Sequence, residues 1–242
     1  MNLVIDVGNT RVKAAVFKGI AIVWSISFDH HDIEIKIKEL KKKYPVSRVM
    51  LSKVTTKIST EIKNILESDF FIELSNTTPV PFKNVYNSPK TLGIDRIALA
   101  AAAVEKYPDT NVLIIDAGTC ITFDFVSSKK AYTGGAISPG VQMRYKALHE
   151  YTDALPNLKP EYSANLTGTT TKEAIHIGVL SGVVKEIEGT IHEYKMKYSD
   201  LTVVLTGGDT NFLAKQLKSS IFANQNFLLE GLNSILIFNT NT

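Results

Sequence analysis

Two short stretches of this chain set an aspartate and a glycine where an apolar run gives way to a turn: Ile5-Asp6-Val7-Gly8-Asn9-Thr10 and Ile115-Asp116-Ala117-Gly118-Thr119-Cys120. Glycine at such an exit leaves backbone N–H groups open to a phosphate, because no side chain stands in the way. An aspartate beside it would face the cation that travels with a polyphosphate, since hard cations take oxygen ligands. Thr10, Arg11 and Lys13 follow on the first turn and the returning run, with a hydroxyl and two positive charges for phosphate oxygens. The same Asp-x-Gly pattern also serves an ordinary hairpin, and both readings of the first turn stand at this level. Two further glycine turns are expected at Gly134-Gly135 and Gly207-Gly208. The second of these can form a floor under an adenine ring, or can simply begin a helix capped by Thr206 or Asp209.

A third constellation is Leu92-Gly93-Ile94-Asp95-Arg96, which leads into an alanine-rich segment. Its acidic and basic residues can be plain first-turn helix residues held by local electrostatics. At a cleft edge the aspartate can instead take the proton of a substrate hydroxyl attacking a γ-phosphoryl group, while the arginine holds an anion. The transition state of that transfer is loose, so an unshifted carboxylate suffices to orient the hydroxyl and accept its proton late. Other signatures are missing: there is no Gly-x-x-x-x-Gly-Lys-Ser/Thr loop and no Gly-x-Gly-x-x-Gly. His149-Glu150 and His192-Glu193 lack the second histidine of a zinc protease, and Ser138 lacks the first glycine of a nucleophile elbow.

These residues need elements to hold them. Apolar and β-branched runs predict a hairpin from 3–5 and 12–17, completed to a meander by 20–28. A helix over 32–44, a strand at 48–51, a helix near 58–66 and a strand at 70–74 follow. The alanine-rich 94–106 reads as a helix stopped by Pro108, and a new set of strands begins at 111–115, 121–126 and 131–137. The second half therefore starts as the first does, which the repeated Asp-x-Gly motif reinforces. Four-residue steps of Ile175, Val179, Val183, Ile187 and Ile191 predict one long helix over 171–197. Gly178, Gly182 and Gly189 weaken it by about 1 kcal/mol each relative to alanine, and so suggest that another backbone packs closely there. A strand at 202–205, a helical 212–217 and a final helix near 232–238 complete the chain.

Composition narrows the classes. Of 242 residues, 44% are hydrophobic and 21% charged, which is ordinary globular usage and excludes disorder as the main state. No apolar stretch approaches the roughly 18 residues of a membrane span. Asp6 interrupts the first apolar segment and no basic residues precede it, so a secretory leader is not expected and cytoplasmic residence is. The single cysteine, Cys120, excludes an intrachain disulfide and a cysteine-rich zinc site. A net charge of +3 is too mild to demand a nucleic-acid partner, and the lysines of 36–43 fall on the solvent face of an amphipathic helix.

In their joint order these segments resemble the type III pantothenate kinases of the acetate and sugar kinase, Hsc70 and actin superfamily. The similarity rests on Asp6-Val7-Gly8-Asn9-Thr10, Leu92-Gly93-Ile94-Asp95-Arg96, Asp116-Ala117-Gly118-Thr119 with Thr122 and Asp124, Gly134-Gly135-Ala136-Ile137-Ser138-Pro139-Gly140, and Thr206-Gly207-Gly208. It implies an α/β fold of two actin-like (ribonuclease H-like) domains, each a mixed sheet flanked by helices, over 1–108 and 109–242. It also implies a homodimer that phosphorylates the terminal hydroxyl of pantothenate with ATP, the first step toward coenzyme A. By the same resemblance Asp6, Val7, Gly8, Asn9, Thr10, Arg11, Val12 and Lys13 hold ATP phosphates and Thr119 adds a nucleotide contact. Asp116 binds a monovalent cation, potassium or ammonium, and Mg²⁺ accompanies ATP. Asp95 is the implied general base, with Tyr86, Gly93, Ile94, Arg96 and Thr171 around pantothenate. The family usually has Asn-Thr where this chain has Thr170-Thr171. A regulatory relative that kept the nucleotide site but lost transfer, or a kinase for another small hydroxylated substrate, is the alternative. Retention of Asp95 and Arg96 argues against the first.

Overall fold

The computed structural model describes residues 1–53, 64–66, 68–162 and 165–240. By internal contacts the chain forms two units, Met1–Asp109 with Val126–Gly134 and Asn226–Thr242, and Thr110–Phe125 with Gly135–Gln225.

The first unit is built on a five-stranded sheet. Strands β1 (Asn2–Val7), β2 (Val12–Lys18) and β3 (Ala21–Phe28) form the expected antiparallel meander, and β4 (Arg48–Lys53) and β5 (Phe70–Glu73) extend it in the order β3-β2-β1-β4-β5. β1 is the hinge of this arrangement, antiparallel to β2 and parallel to β4, so Asp6 stands in register with Lys13 on one side and Ser52 on the other. Every residue of β1 is buried, as a central strand covered on both faces requires. Helix α1 (Ile33–Lys43) buries Ile33, Ile37 and Leu40 and turns its lysines outward, where Lys38 pairs with Glu34 and Lys36 with Glu39. The helix expected near 58–66 lies outside the described residues except for 64–66, which are helical. Helix α2 (Ile94–Lys106) is buried along Arg96 to Val104. A two-residue strand, β6 (Lys83–Asn84), pairs in parallel with Ala131 and Tyr132.

In the second unit β7 (Asn111–Ala117) has β8 (Cys120–Val126) and then β9 (Ala131–Pro139) on one side, and β10 (Leu201–Thr206) and then β11 (Phe222–Ala223) on the other. β10 runs parallel to β7 with Thr206 opposite Asp116. The duplication therefore extends below the motif: each aspartate ends a central strand, and in each case the parallel neighbour sets a hydroxyl residue, Ser52 or Thr206, across from it. Helix α3 (Val141–Glu150) follows β9. The long helix runs as α4 (Thr171–His176), a π-helical turn at Ile177–Ser181, and α5 (Gly182–Lys197), with Val179, Val183, Ile187 and Ile191 in the core. A short α6 (Thr210–Leu213) follows β10.

Two expectations are corrected. Gly134-Gly135 is not a turn but lies inside β9, where a Cβ at Gly134 would sit 2.8 Å from the Tyr86 ring and one at Gly135 only 1.6 Å from the Phe123 carbonyl oxygen. Among the described residues no backbone from another element packs on Gly178, Gly182 or Gly189, since a Cβ at each would find nothing within 4 Å. Gly178 and Gly182 instead fall at the π turn, where the helix departs from its regular ladder. The last helix of the described residues, α7 (Phe227–Thr240), belongs to the first unit, so the contact units interleave along the chain. The reason is local: Gly231 brings α7 onto α2, so close that a Cβ there would stand 1.8 Å from the Ala98 carbonyl oxygen.

Candidate active site

The turn from Asp6 to Lys13 is closed by the Gly8 N–H, which donates to the Arg11 carbonyl at 3.1 Å. Val7 and Val12 bury their side chains and anchor the two ends, while Asn9, Thr10 and Arg11 are exposed at the tip. Arg11 reaches sideways rather than over the tip: Nε donates to Ser27 Oγ at 3.0 Å, Nη2 to the Ser27 carbonyl at 3.1 Å, and Nη1 lies 3.5 Å from Asp29. His30 Nε2 donates to the Gly8 carbonyl at 2.8 Å, a tie from the residues after β3 that no spacing in the sequence announces. The turn is thus held from outside by Arg11 and His30.

Asp6 is the electrostatic centre of the turn. Only 8% exposed, it accepts one bond from Ser52 Oγ to Oδ1 at 2.9 Å. Burial pushes its carboxyl from 3.8 up to about 6, the Ser52 bond and the Lys13 charge pull it back, and the Asp95 charge raises it. A carboxylate this buried calls for positive charge beside it. Lys13 provides some, and a divalent cation carried by a polyphosphate would provide the rest. The residues present therefore fit a metal-bound nucleotide.

Asp95 enters by a separate route. Asn76 Nδ2 donates to the Leu92 carbonyl at 2.7 Å and to that of Pro89 at 2.9 Å, fixing the chain just ahead of α2. Gly93 is the N-cap, and a side chain there would stand 2.4 Å from Asp95 Oδ1, so glycine keeps the carboxylate clear. Asp95 Oδ1 accepts from the Arg96 N–H at 2.8 Å, and the carboxyl is half-buried in the first turn of α2. Ile94 precedes it, half-buried. Arg96 is 5% exposed, with its Cζ 5.8 Å from the Tyr86 ring centroid and 6.0 Å from that of Tyr132. Asp6 to Lys13 and Tyr86 to Arg96 thus lie in the same unit. Ser52, Asn76 and Tyr132 belong with these groups and were not singled out from the sequence. The signal for Ser52 was a lone hydroxyl ending the buried apolar run of β4.

In the second unit Asp116 is half-buried at the end of β7, and Gly207, at φ +97°, lies against it: a Cβ there would be 2.4 Å from Asp116 Oδ1. Gly118 and Gly208 face open space, with nothing within 4 Å of a Cβ, as backbone that receives a ligand must. Thr119 is exposed on the turn, and its carbonyl accepts from the Gly140 N–H at 3.1 Å. Thr122 Oγ1 donates to the buried Asp124 at 2.9 Å. Thr171 is exposed at the first residue of α4, and Thr170 caps that helix by accepting from the Glu173 N–H at 3.2 Å. Threonine thus does the capping work that asparagine would do at this position. Beside it Thr170, Lys172, Glu173 and His176, with Glu161 and Tyr162, line a hollow of about 270 Å³.

Comparison with known proteins gives this arrangement a family. The sequence is 47% identical to the type III pantothenate kinase of Christiangramia forsetii over 240 residues, 99% of each chain. It is 44% identical to that of Flavobacterium johnsoniae over 234 residues, 96% of each. Among solved structures a Baf family transcriptional activator from Campylobacter jejuni superposes with a TM-score of 0.65 at 21% identity, covering 99% of this chain and 100% of that one. The activator of 2-hydroxyisocaproyl-CoA dehydratase from Clostridium difficile, with bound ADPNP, gives 0.55 at 14% identity, covering 99% and 94%. These two likenesses show a shared fold. The sequence model that describes type III pantothenate kinases matches residues 2–193, a span that takes in the Asp6 turn, Asp95, Asp116 and Thr171, and this chain belongs to that family.

Proposed function

We infer that this protein transfers the γ-phosphoryl group of ATP to the terminal hydroxyl of pantothenate, giving 4′-phosphopantothenate in the first step of coenzyme A biosynthesis. The observation that carries the assignment is the presence in one unit of the buried Asp6 at its turn and of Asp95 at the start of α2, in a chain 47% identical to a type III pantothenate kinase over 99% of each. It favours transfer over a purely regulatory role.

In this reading Asn9 and Thr10 offer N–H and hydroxyl donors to the phosphates, Gly8 keeps their approach clear of a side chain, and Lys13 adds charge. Val7 and Val12 hold the backbone of the turn, and Thr119 contacts the nucleotide. Arg11, tied to Ser27 and Asp29, acts first by shaping the turn. Mg²⁺, when bound with ATP, neutralises charge that develops between the phosphates. Asp6 would face it. Asp95 orients the pantothenate hydroxyl and accepts its proton as the oxygen–phosphorus bond forms. Gly93 and Ile94 shape the approach, Tyr86 lines the pocket, and Arg96 holds the pantothenate carboxylate. Asp116 offers oxygen to a monovalent cation, potassium or ammonium. Thr171 completes the substrate site in a homodimer. The halves 1–108 and 109–242 descend from one duplicated actin-like unit, and the protein works in the cytoplasm without nucleic-acid or membrane partners. No helix among the described residues is long and apolar enough to cross a membrane.

A coupled ADP-release assay tests the assignment, with pantothenate set against a panel of other hydroxylated acids at several potassium concentrations. Pantothenate-dependent release is expected. Release with another acid alone would replace the substrate, and none with any acid would favour the regulatory alternative.

A further inference from the structure

A carboxylate has two equivalent oxygens and turns almost freely about its last torsion, so a side chain that must aim one oxygen at a cation needs something to hold the other. In this protein that something stands on the neighbouring strand. β4 runs parallel to β1 in a register that sets Ser52 opposite Asp6, and Ser52 Oγ donates to Asp6 Oδ1 at 2.9 Å. Ser52 is fully buried and follows the equally buried Val49, Met50 and Leu51, so its hydroxyl has no water to satisfy it and is committed to this bond. The other oxygen, Oδ2, lies on the turn side, 3.9 Å from where a Cβ of Gly8 would be.

We propose that Ser52 is a positioning residue for the metal–nucleotide complex: by occupying Oδ1 of Asp6 it fixes the carboxylate with Oδ2 turned toward the cation that arrives with ATP. The proposal rests on the reading of Asp6 as cation-facing. The second sheet repeats the arrangement, with Thr206, 1% exposed, in the same register position opposite Asp116. A residue that merely filled space at position 52 would be apolar like the three before it.

Binding separates positioning from packing. Mn²⁺, which shares the oxygen preference of Mg²⁺, is titrated by electron paramagnetic resonance into the full chain saturated with AMPPNP. AMPPNP affinity is measured separately by calorimetry in EDTA. Ser52→Ala is expected to weaken Mn²⁺ retention on the order of 10-fold, the usual effect of removing a group that orients a ligand, and to leave metal-free AMPPNP affinity within about twofold. Ser52→Thr, which keeps the hydroxyl, is expected to recover most of the Mn²⁺ affinity. Should the alanine variant not fold, Ser52→Cys, near in volume but a weak donor, carries the same expectation. Equal losses with and without metal would mean that Ser52 only supports the turn, and an unchanged Mn²⁺ affinity would overturn the proposal outright. Asp6→Asn distinguishes the two failures. If it loses Mn²⁺ while Ser52→Ala does not, only the role of Ser52 falls; if it too retains Mn²⁺, the reading of Asp6 falls with it.

Discussion

Asn2 and Asn233 share a buried hydrogen bond, the Asn2 amide donating to Asn233 Oδ1 at 2.8 Å across 231 residues of chain. The Asn233 amide in turn donates to the Gly19 carbonyl at 2.9 Å, so one side chain of the last helix satisfies polar groups of both β1 and the β2–β3 turn. Asn233→Ala would leave the Asn2 amide, 6% exposed as a residue, without its acceptor. A loss of about 2 kcal/mol is expected from urea unfolding, the desolvation penalty of a buried donor left unmet.

Gly231 and Gly189 should respond oppositely to the same change. Gly231→Ala places a methyl 1.8 Å from the Ala98 carbonyl oxygen, forcing α7 away from α2 at about 3 kcal/mol. Gly189→Ala meets nothing within 4 Å on an exposed face of α5 and should stabilise by about 1 kcal/mol through helix propensity. Two thermal melts, one falling and one rising, check the pair.

Asp6→Asn should make the ligand-free protein more stable while removing its use of Mg²⁺-ATP. A carboxyl whose pKa rises on folding, from 3.8 to about 6, holds its proton more tightly in the folded chain. Stability contributed by that proton is present below pH 4, declines as pH rises to about 6, and stays lost above. Asparagine carries no such penalty and can still accept from Ser52. The variant should therefore exceed the parent by up to about 3 kcal/mol at pH 7.5, with the difference closing toward pH 4. Denaturant curves at pH 4, 6 and 7.5 would reveal it, and a constant difference across that range would contradict the titration of Asp6.

Asp95→Asn should lower kcat by at least about 100-fold, the lower end of general-base effects, with ATP affinity preserved. Near-normal turnover would remove Asp95 from the proton transfer.

Exchange of potassium for sodium should weaken ATP use by the parent enzyme and make no difference in Asp116→Asn. Equal kcat/KM for ATP in both salts would dismiss Asp116 as the cation ligand.

The strands and the amphipathic helix of the first unit were legible because their patterns are local. The turn at Asp6 follows an unbroken apolar run, and Ile33, Ile37 and Leu40 repeat at helical spacing. The duplicated Asp-x-Gly motif likewise foretold a second sheet with the same central strand. What escaped was decided by neighbours distant in sequence. α7 is buried from Phe227 to Leu229 and from Gly231 to Leu236, so it has no polar face to indicate which sheet it covers. Gly134 and Gly135 read as a turn because glycine usually marks one, and only the Tyr86 ring and the Phe123 carbonyl explain them within a strand. Ser52 belongs to no spacing motif, and its meaning depends on the register of β4 against β1.

The return of α7 to the first-made sheet also imposes an order on biogenesis. A nascent chain ordinarily folds from its leading end as it leaves the ribosome. Here the helix that seals β1 and α2 is translated only after the second unit, so the leading half must wait, its aliphatic surface unsealed, through the synthesis of everything between. Newly made protein is therefore most exposed to holding chaperones and proteases in that interval, and a premature stop before Phe227 would release a chain whose opening sheet can never be closed.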